Sequence, residues 1–231
     1  FEPLRHYAEA HLIMEPGKPG SGLVFSSDCS LEELDKNWQN QILSCLKSKE
    51  HLGVLIGAPL TDVKITLATG RASIKHTVGG DFRQASGRAV RQGLMMLKER
   101  HGLKLLEPWY RFVLKVPDEK LGRAMNDIQQ MSGTFSLDQA SGTLNGLAPV
   151  SEMQSYAETV RTYTRGKGLL ELSVDGYRQC HNEQEVVSNS SYDPLSDLEN
   201  TPQSVFCAHG AGYTVDWSDV PKMAHVPYRL S

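Results

Sequence analysis

At 231 residues the chain has room for one large domain or two ordinary ones, and with 39% hydrophobic and 22% charged residues it is not the sequence of a disordered chain. A formal net charge of −3 excludes bulk polycationic attraction, so any nucleic-acid binding must rest on local patches. Cys29, Cys45, Cys180 and Cys207 are too few and scattered for a disulfide scaffold, and they read as reduced thiols of a cytoplasmic protein.

The opening Phe1-Glu2-Pro3-Leu4-Arg5-His6 has no signal-peptide character and reads like the interior of a longer protein. Ala8, Ala10, Leu12 and Met14 then alternate with Glu9 and His11, the period of a half-buried strand. The Pro- and Gly-rich stretch from Glu15 to Gly22 turns the chain into a second strand at Leu23-Val24-Phe25. Ser30 and Glu33 have capping-box spacing, and Leu31, Leu34, Trp38, Ile42 and Cys45 predict the stripe of a helix. Val63, Ile65 and Leu67 form another strand. A long helix follows from about Asp81 to Arg100, with Phe82, Ala85, Ala89 and Leu97 inward and a solvated basic face of Arg83, Arg88, Arg91, Lys98 and Arg100.

Glu107-Pro108 breaks the pattern, because the residue before a proline is pushed out of helical geometry. Six elements follow. Tyr110, Phe112, Leu114 and Val116 mark a strand, and Leu121, Met125 and Ile128 a helix. Phe135 and Leu137 turn at Ser141-Gly142 into a strand with Leu144 and Leu147. Ser151 caps a helix with Met153, Tyr156, Val160 and Tyr163 inside, and Leu170, Leu172 and Val174 close the series. This β-α-β-β-α-β order is the ferredoxin-like split unit. From Asn182 to Glu199 the chain is acidic and rich in Asn, Ser and Pro, which predicts a solvated loop; order is expected to return at Ser204–Cys207 and around Trp217–Met223.

No phosphate-binding G-x-x-x-x-G-K-[ST] loop and no catalytic constellation is legible, so the chain carries no catalytic residue of its own. Cys180, His181, Cys207, His209 and His225 are zinc-ligand types and raise the idea of a metal-binding regulatory module. Their spacing departs from common zinc sites, and packed thiols and turn histidines are the expectation, with no metal. The loop Gly70–Gly80 places Arg71, Lys75 and His76 between a strand and the basic helix. Cations of that kind hold phosphates, and an imidazole can stack on an unpaired base.

Several strings together resemble one family. Glu15-Pro16 with Gly20-Ser21-Gly22, followed by Pro59 to Leu67 (P-L-T-D-V-K-I-T-L), is similar to domain IV of elongation factor G. Leu105-Leu106-Glu107-Pro108 resembles the junction into domain V, and Thr162 to Gly168 the segment before that domain's last strand. Asp81-Phe82-Arg83, Leu121 to Asp127 and the long tail look more like the tetracycline-resistance ribosomal protection proteins, whereas His76-Thr77-Val78 resembles the elongation factor's tip.

The resemblance implies an α+β protein of two α/β-sandwich domains. Residues 1–106 would be a domain IV facing rRNA, 107–179 a ferredoxin-like domain V, and 180–231 a C-terminal extension. It implies a monomeric, ribosome-binding end of a translational GTPase, with GTP and magnesium held in a part of the protein that this sequence lacks. Its partners would be small-subunit rRNA and the large-subunit GTPase centre, with no membrane. The implied tip loops are Pro3–Tyr7, Asp28–Leu34 and Ser73–Gly80, and the implied rRNA-binding residues are Arg5, His6, Arg71, Ser73, Ile74, Lys75, His76 and Thr77. Drug protection and translocation or ribosome rescue are the two functions the resemblance allows.

Overall fold

The computed structural model describes residues 6–208 and 211–228, and the chain divides into two compact units. The first unit is made of two separate stretches, Phe1–Leu103 and Asn189–Ser231; the second is Lys104–Ser188.

The first unit opens with β1 (Ala8–Pro16), β2 (Leu23–Ser27), α1 (Lys36–Ser48), β3 (Val63–Ala72) and α2 (Gly79–Glu99). β3 is the central strand, antiparallel to β1 and parallel to β2. Six consecutive residues of this central strand, Ile65–Gly70, are buried, so both of its faces are covered there and the usual alternation is lost. Asp62, just before β3, fixes the turn between β1 and β2: its carboxylate accepts from the Gly20 and Gly22 amides, 3.0 Å each. Both helices contribute to one core of Leu34, Ile42, Leu46, Ile65, Leu67, Phe82, Val90 and Leu94, making an α/β sandwich.

The predicted helix start is one turn early. Ser30 Oγ does accept the Glu33 amide (3.2 Å), but in an isolated turn; the helix begins after Asp35, whose carboxylate accepts from Asn37 N at 2.8 Å. Leu31, expected inward, is 67% exposed. The inward stripe of α2 also differs, running Phe82, Ser86, Val90 and Leu94 at four-residue spacing.

The larger correction concerns the basic face of α2. Arg91 is 3% exposed. Its Nε donates to the Asn200 carbonyl (2.6 Å), Nη1 to the Leu52 carbonyl (2.8 Å), and Nη2 to the Tyr192 hydroxyl (2.8 Å). Tyr192 in turn donates to Asp197 (2.8 Å). The stretch expected as a solvated loop is therefore organised: it contains α6 (Glu183–Asn189), and residues 192–200 bind a buried guanidinium. Acidic, polar composition predicts solvation only when no buried cation supplies the partners.

The second unit runs β4 (Leu106–Lys115), α3 (Leu121–Gln130), β5 (Thr134–Asp138), β6 (Thr143–Pro149), α4 (Val150–Met153), α5 (Tyr156–Tyr163), β7 (Leu169–Gln179) and then α6. The sheet order β5-β6-β4-β7, antiparallel throughout, is the ferredoxin-like arrangement the sequence predicts. Phe112, Leu114, Ala124, Ile128, Leu144, Ala148, Met153 and Val160 form its core. Leu144, Leu147 and Val174 all lie in the strands expected of them, and three details go beyond that reading. The inner face of β6 carries Leu144, Gly146 and Ala148, with Leu147 on the other face; an added Cβ at Gly146 would lie 1.9 Å from the Thr134 carbonyl and 2.6 Å from the Phe112 ring. Val174 is 75% exposed, next to Asp175, which bulges out of the β4–β7 register. Ser151 lies inside α4 and contacts Glu107 instead of capping.

The chain then returns to the first unit with β8 (Ser204–Ala208), β9 (Ala211–Val215) and α7 (Val220–Met223), and Trp217 packs against the first core. This last stretch is fastened to β1 through Glu9, whose carboxylate accepts from the Val226 amide (3.0 Å) and the His225 amide (3.2 Å). Glu9 also accepts from the Tyr7 hydroxyl (2.9 Å) and lies 2.7 Å from His11 Nε2. Burial pushes the Glu9 carboxyl up, but the His11, Val226 and Tyr7 hydrogen bonds outweigh it and hold the pKa at about 2.

Two outcomes follow from these contacts. Arg91→Ala strands two half-buried carbonyls and detaches Tyr192, so it should destabilise the first unit by about 3 kcal/mol. Thermal unfolding should show a clearly lower midpoint, and limited proteolysis should show earliest cleavage around residues 192–200. Because the Glu9 pKa is depressed from 4.5 to about 2, its contribution is complete above 4.5 and is lost as pH falls towards 2. Acid unfolding of Glu9→Gln should be flatter than wild type across that window.

Candidate nucleic-acid interface

The sheet of the first unit gathers its loops at one end. β3 finishes at Ala72, β1 starts opposite it at Ala8, and β2, parallel to β3, finishes towards the same side. The segments before β1, after β2 and after β3 therefore emerge together, which chain order alone does not reveal.

The third of these segments is a braced turn. Thr77 N and His76 N donate back to the Ser73 carbonyl (2.9 and 3.3 Å), and Ser73 N donates to Thr77 Oγ1 (2.7 Å). That hydroxyl donates onward to the Tyr7 carbonyl (2.6 Å), tying the third loop to the start of β1. Asp81 has two partners at the head of α2. One carboxylate oxygen accepts the Val78 amide (2.9 Å), satisfying a free helix donor, and the other lies 2.8 Å from His6 Nδ1.

The bracing presents a distinctive surface. Ile74 is 106% exposed, a large aliphatic side chain wholly in solvent at the apex of the loop, and Val78 is 48% exposed. Arg71 and Lys75 are exposed cations, and His76 is half-buried beside them. The second loop adds Asp28, Glu32 and Glu33, so this end of the sheet is mixed in charge and not a bare basic patch.

Of the eight sequence-expected contact residues, His6, Arg71, Ser73, Ile74, Lys75, His76 and Thr77 are brought to this end, and Arg5 lies outside the described residues. Some of them also make internal contacts: the Thr77 hydroxyl and the Ser73 amide hold the loop closed, the His76 amide donates to the Ser73 carbonyl, and the His6 ring lies against Asp81. Asp81 escapes sequence reasoning as part of the site, although the three-residue spacing of Val78 and Asp81, a capping geometry at the helix start, could have identified it. Tyr7 closes the first implied tip loop, but its backbone tie to Thr77 is not legible in the sequence.

The same unit contains a cleft of about 530 Å³ beside the third loop, lined among others by Tyr7, Glu9, Arg88, Cys207, His225 and Tyr228. Arg88 is half-buried there; burial pushes its pKa down, and among the described residues its Nε has no hydrogen-bond partner. Of the zinc-type residues, Cys180 and His181 belong to the second unit, Cys207 and His225 to the first, and His209 lies outside the described residues. No described helix is long and apolar enough to cross a membrane.

Comparison with known proteins gives matches to two family models. Residues 1–97 match elongation factor G, domain IV, and residues 104–186 match the elongation factor G C-terminus. The chain is 30% identical over 197 residues to the tetracycline resistance protein TetP of Clostridium perfringens, covering 84% of this chain and 29% of that protein. It is 31% identical over 172 residues to elongation factor G 1 of Colwellia psychrerythraea, covering 73% of this chain and 24% of the relative. Against elongation factor G 1 of Methylococcus capsulatus it is 28% identical over 177 residues, covering 75% of this chain and 25% of the relative. The chain thus spans roughly a quarter of the length of each. A crystal structure from Thermus thermophilus superposes with a TM-score of 0.60 at 23% identity over 77% of this chain and 26% of that one, a likeness of fold.

The brace itself is testable. Thr77→Val keeps the shape of the side chain but deletes the hydroxyl that serves both Ser73 N and Tyr7 O, and should cost about 1–2 kcal/mol. Hydrogen exchange at the Ser73 amide should quicken markedly, while amides in α3 and β6 stay as protected as before.

Proposed function

The chain belongs to the elongation factor G family through its domain IV and C-terminal domain, and on that premise we propose that it is the ribosome-facing end of a cytoplasmic translational GTPase of ribosomal protection type. In this reading the loops at the end of the first sheet enter the small-subunit decoding region and displace tetracycline. GTP and magnesium are held, and hydrolysis is performed, by a domain outside this sequence. Arg71 and Lys75 contact phosphates, His76 contacts a base, and Ile74 supplies an apolar face against a base or the drug's seat. Ser73 and Thr77 keep the loop in shape.

The observation that carries the assignment is the convergence of three loops on one sheet end, with a rigidly braced apex that projects Ile74 and Lys75 into solvent. A side chain as apolar as Ile74 costs free energy when left in water, and a partner surface would recover it. Protection in particular is supported by the TetP match, whose 84% of this chain is longer than residues 1–186 and so runs into the tail.

The second reading is an elongation factor G paralogue acting in translocation or ribosome rescue. It is favoured by His76-Thr77-Val78 at the apex and by identity to elongation factor G 1 of 31%, on a par with TetP.

A translation extract inhibited by tetracycline and supplied with the full-length protein separates the two. Protection predicts restored synthesis that collapses with Lys75→Ala or His76→Ala. A paralogue predicts no restoration while ribosome-stimulated GTP hydrolysis persists. In either case Lys75→Ala should lower the salt dependence of ribosome binding by about one counterion. A slope identical to wild type would remove Lys75 from the interface.

A further inference from the structure

At the end of the second unit's sheet where β4 begins and β7 ends, three different donor types meet. One ligand-type atom each of Glu107, Cys180 and His181 all lie within 4.8 Å of one another. Cys180 is 7% exposed, and the side chains of Glu107 and His181 are 13% and 14% exposed. The backbone fixes this meeting. Cys180 N donates to the Leu105 carbonyl (2.8 Å), extending the β4–β7 pairing by one rung, and His181 N donates to Glu107 Oε1 (2.7 Å).

We propose that Glu107, Cys180 and His181 form a binding site for a thiophilic divalent cation, zinc being the best fit. A thiolate, an imidazole and a carboxylate are all zinc donors, and a thiolate disfavours magnesium and calcium. The surroundings support it in two ways beyond the donor set. His181 Nδ1 faces the cluster, 2.7 Å from Glu107 Oε1, while Nε2 is 3.5 Å from Glu152 Oε1. With Nδ1 on a metal, Nε2–H points at a carboxylate, the outer partner that metal-binding imidazoles usually have. The Ser151 hydroxyl, 3.4 Å from Glu107 Oε2, orients the carboxylate in the same way.

Without a metal, the same atoms make an ordinary hydrogen-bonded pair in which Nδ1–H donates to Glu107. Binding moves the imidazole proton to Nε2, releases the thiol proton, and opens the 2.7 Å contact by some tenths of an ångström. Three protein donors leave a fourth tetrahedral corner for water. The sequence marks Cys180 and His181 as ligand types but groups them with the wrong partners, because Glu107 lies far along the chain from them.

The test is cobalt(II) titration of the 231-residue chain, reading thiolate-to-cobalt charge-transfer absorption, followed by zinc competition. The site predicts one cobalt per chain, a thiolate band displaced by zinc, and a thermal midpoint that rises with zinc concentration. Cys180→Ser should abolish the band and His181→Gln should weaken cobalt binding at least tenfold, whereas Cys207→Ser should leave both unchanged. Circular dichroism of each variant shows whether it is folded, and the zinc-dependent rise in midpoint should be absent from folded Cys180→Ser. No thiolate band in the wild-type chain, or a band that survives Cys180→Ser, overturns the proposal.

Discussion

A guanidinium cannot shed its charge at any physiological pH, so burying one commits the surrounding chain to supplying acceptors. Arg91 is that commitment here. It sits in the middle of α2, 3% exposed, and draws carbonyls from Leu52 and Asn200 and a hydroxyl from Tyr192. Those partners lie on both sides of the second unit in the sequence. Satisfying one side chain therefore recruits the stretch around 192–200 into the first unit. The family models match residues 1–97 and 104–186, so this stretch of the first unit lies outside both.

The tip of the first sheet shows a comparable economy of parts. Asp81 caps α2 with one oxygen and steadies His6 with the other, and the Thr77 hydroxyl is donor to one segment and acceptor from another. These polar groups close to the apex serve rigidity, while Lys75 and Ile74 stand out in solvent where a partner can reach them. A loop built this way meets a partner at low ordering cost, since its backbone is already fixed.

What is legible in the sequence follows from which forces are local. The alternation of Tyr110, Phe112 and Leu114 and the stripe of Met153, Tyr156 and Val160 identify the ferredoxin-like unit, because burial there follows the period of each element. Linked motifs in order identify the family. Capping misleads at Ser30, where a hydroxyl closes a turn without starting a helix and leaves Leu31, expected inward, in solvent, and the bulge beside Val174 is one that periodicity cannot anticipate. Arg91 reads as wet because a helix face that is basic in composition says nothing about acceptors a hundred residues away. The tip residues are found by resemblance, but their sharing of one sheet end comes from strand direction, which the sequence does not state. The Glu107 cluster is hidden for the same reason as Arg91.

The split construction of the first unit also has a consequence for synthesis. A ribosome adds about 5–20 residues per second. Arg91 and Asn200 are 109 positions apart, so the arginine waits roughly 5–20 s for its last partner, on that elongation rate. The intervening ferredoxin-like unit has a core all its own, so its folding does not depend on that last partner. The nascent α2 meanwhile presents to water a cation that the finished protein buries, and the first unit matures last although it is made first. Completion of the first unit therefore waits on residues that are added only after the whole of Lys104–Ser188.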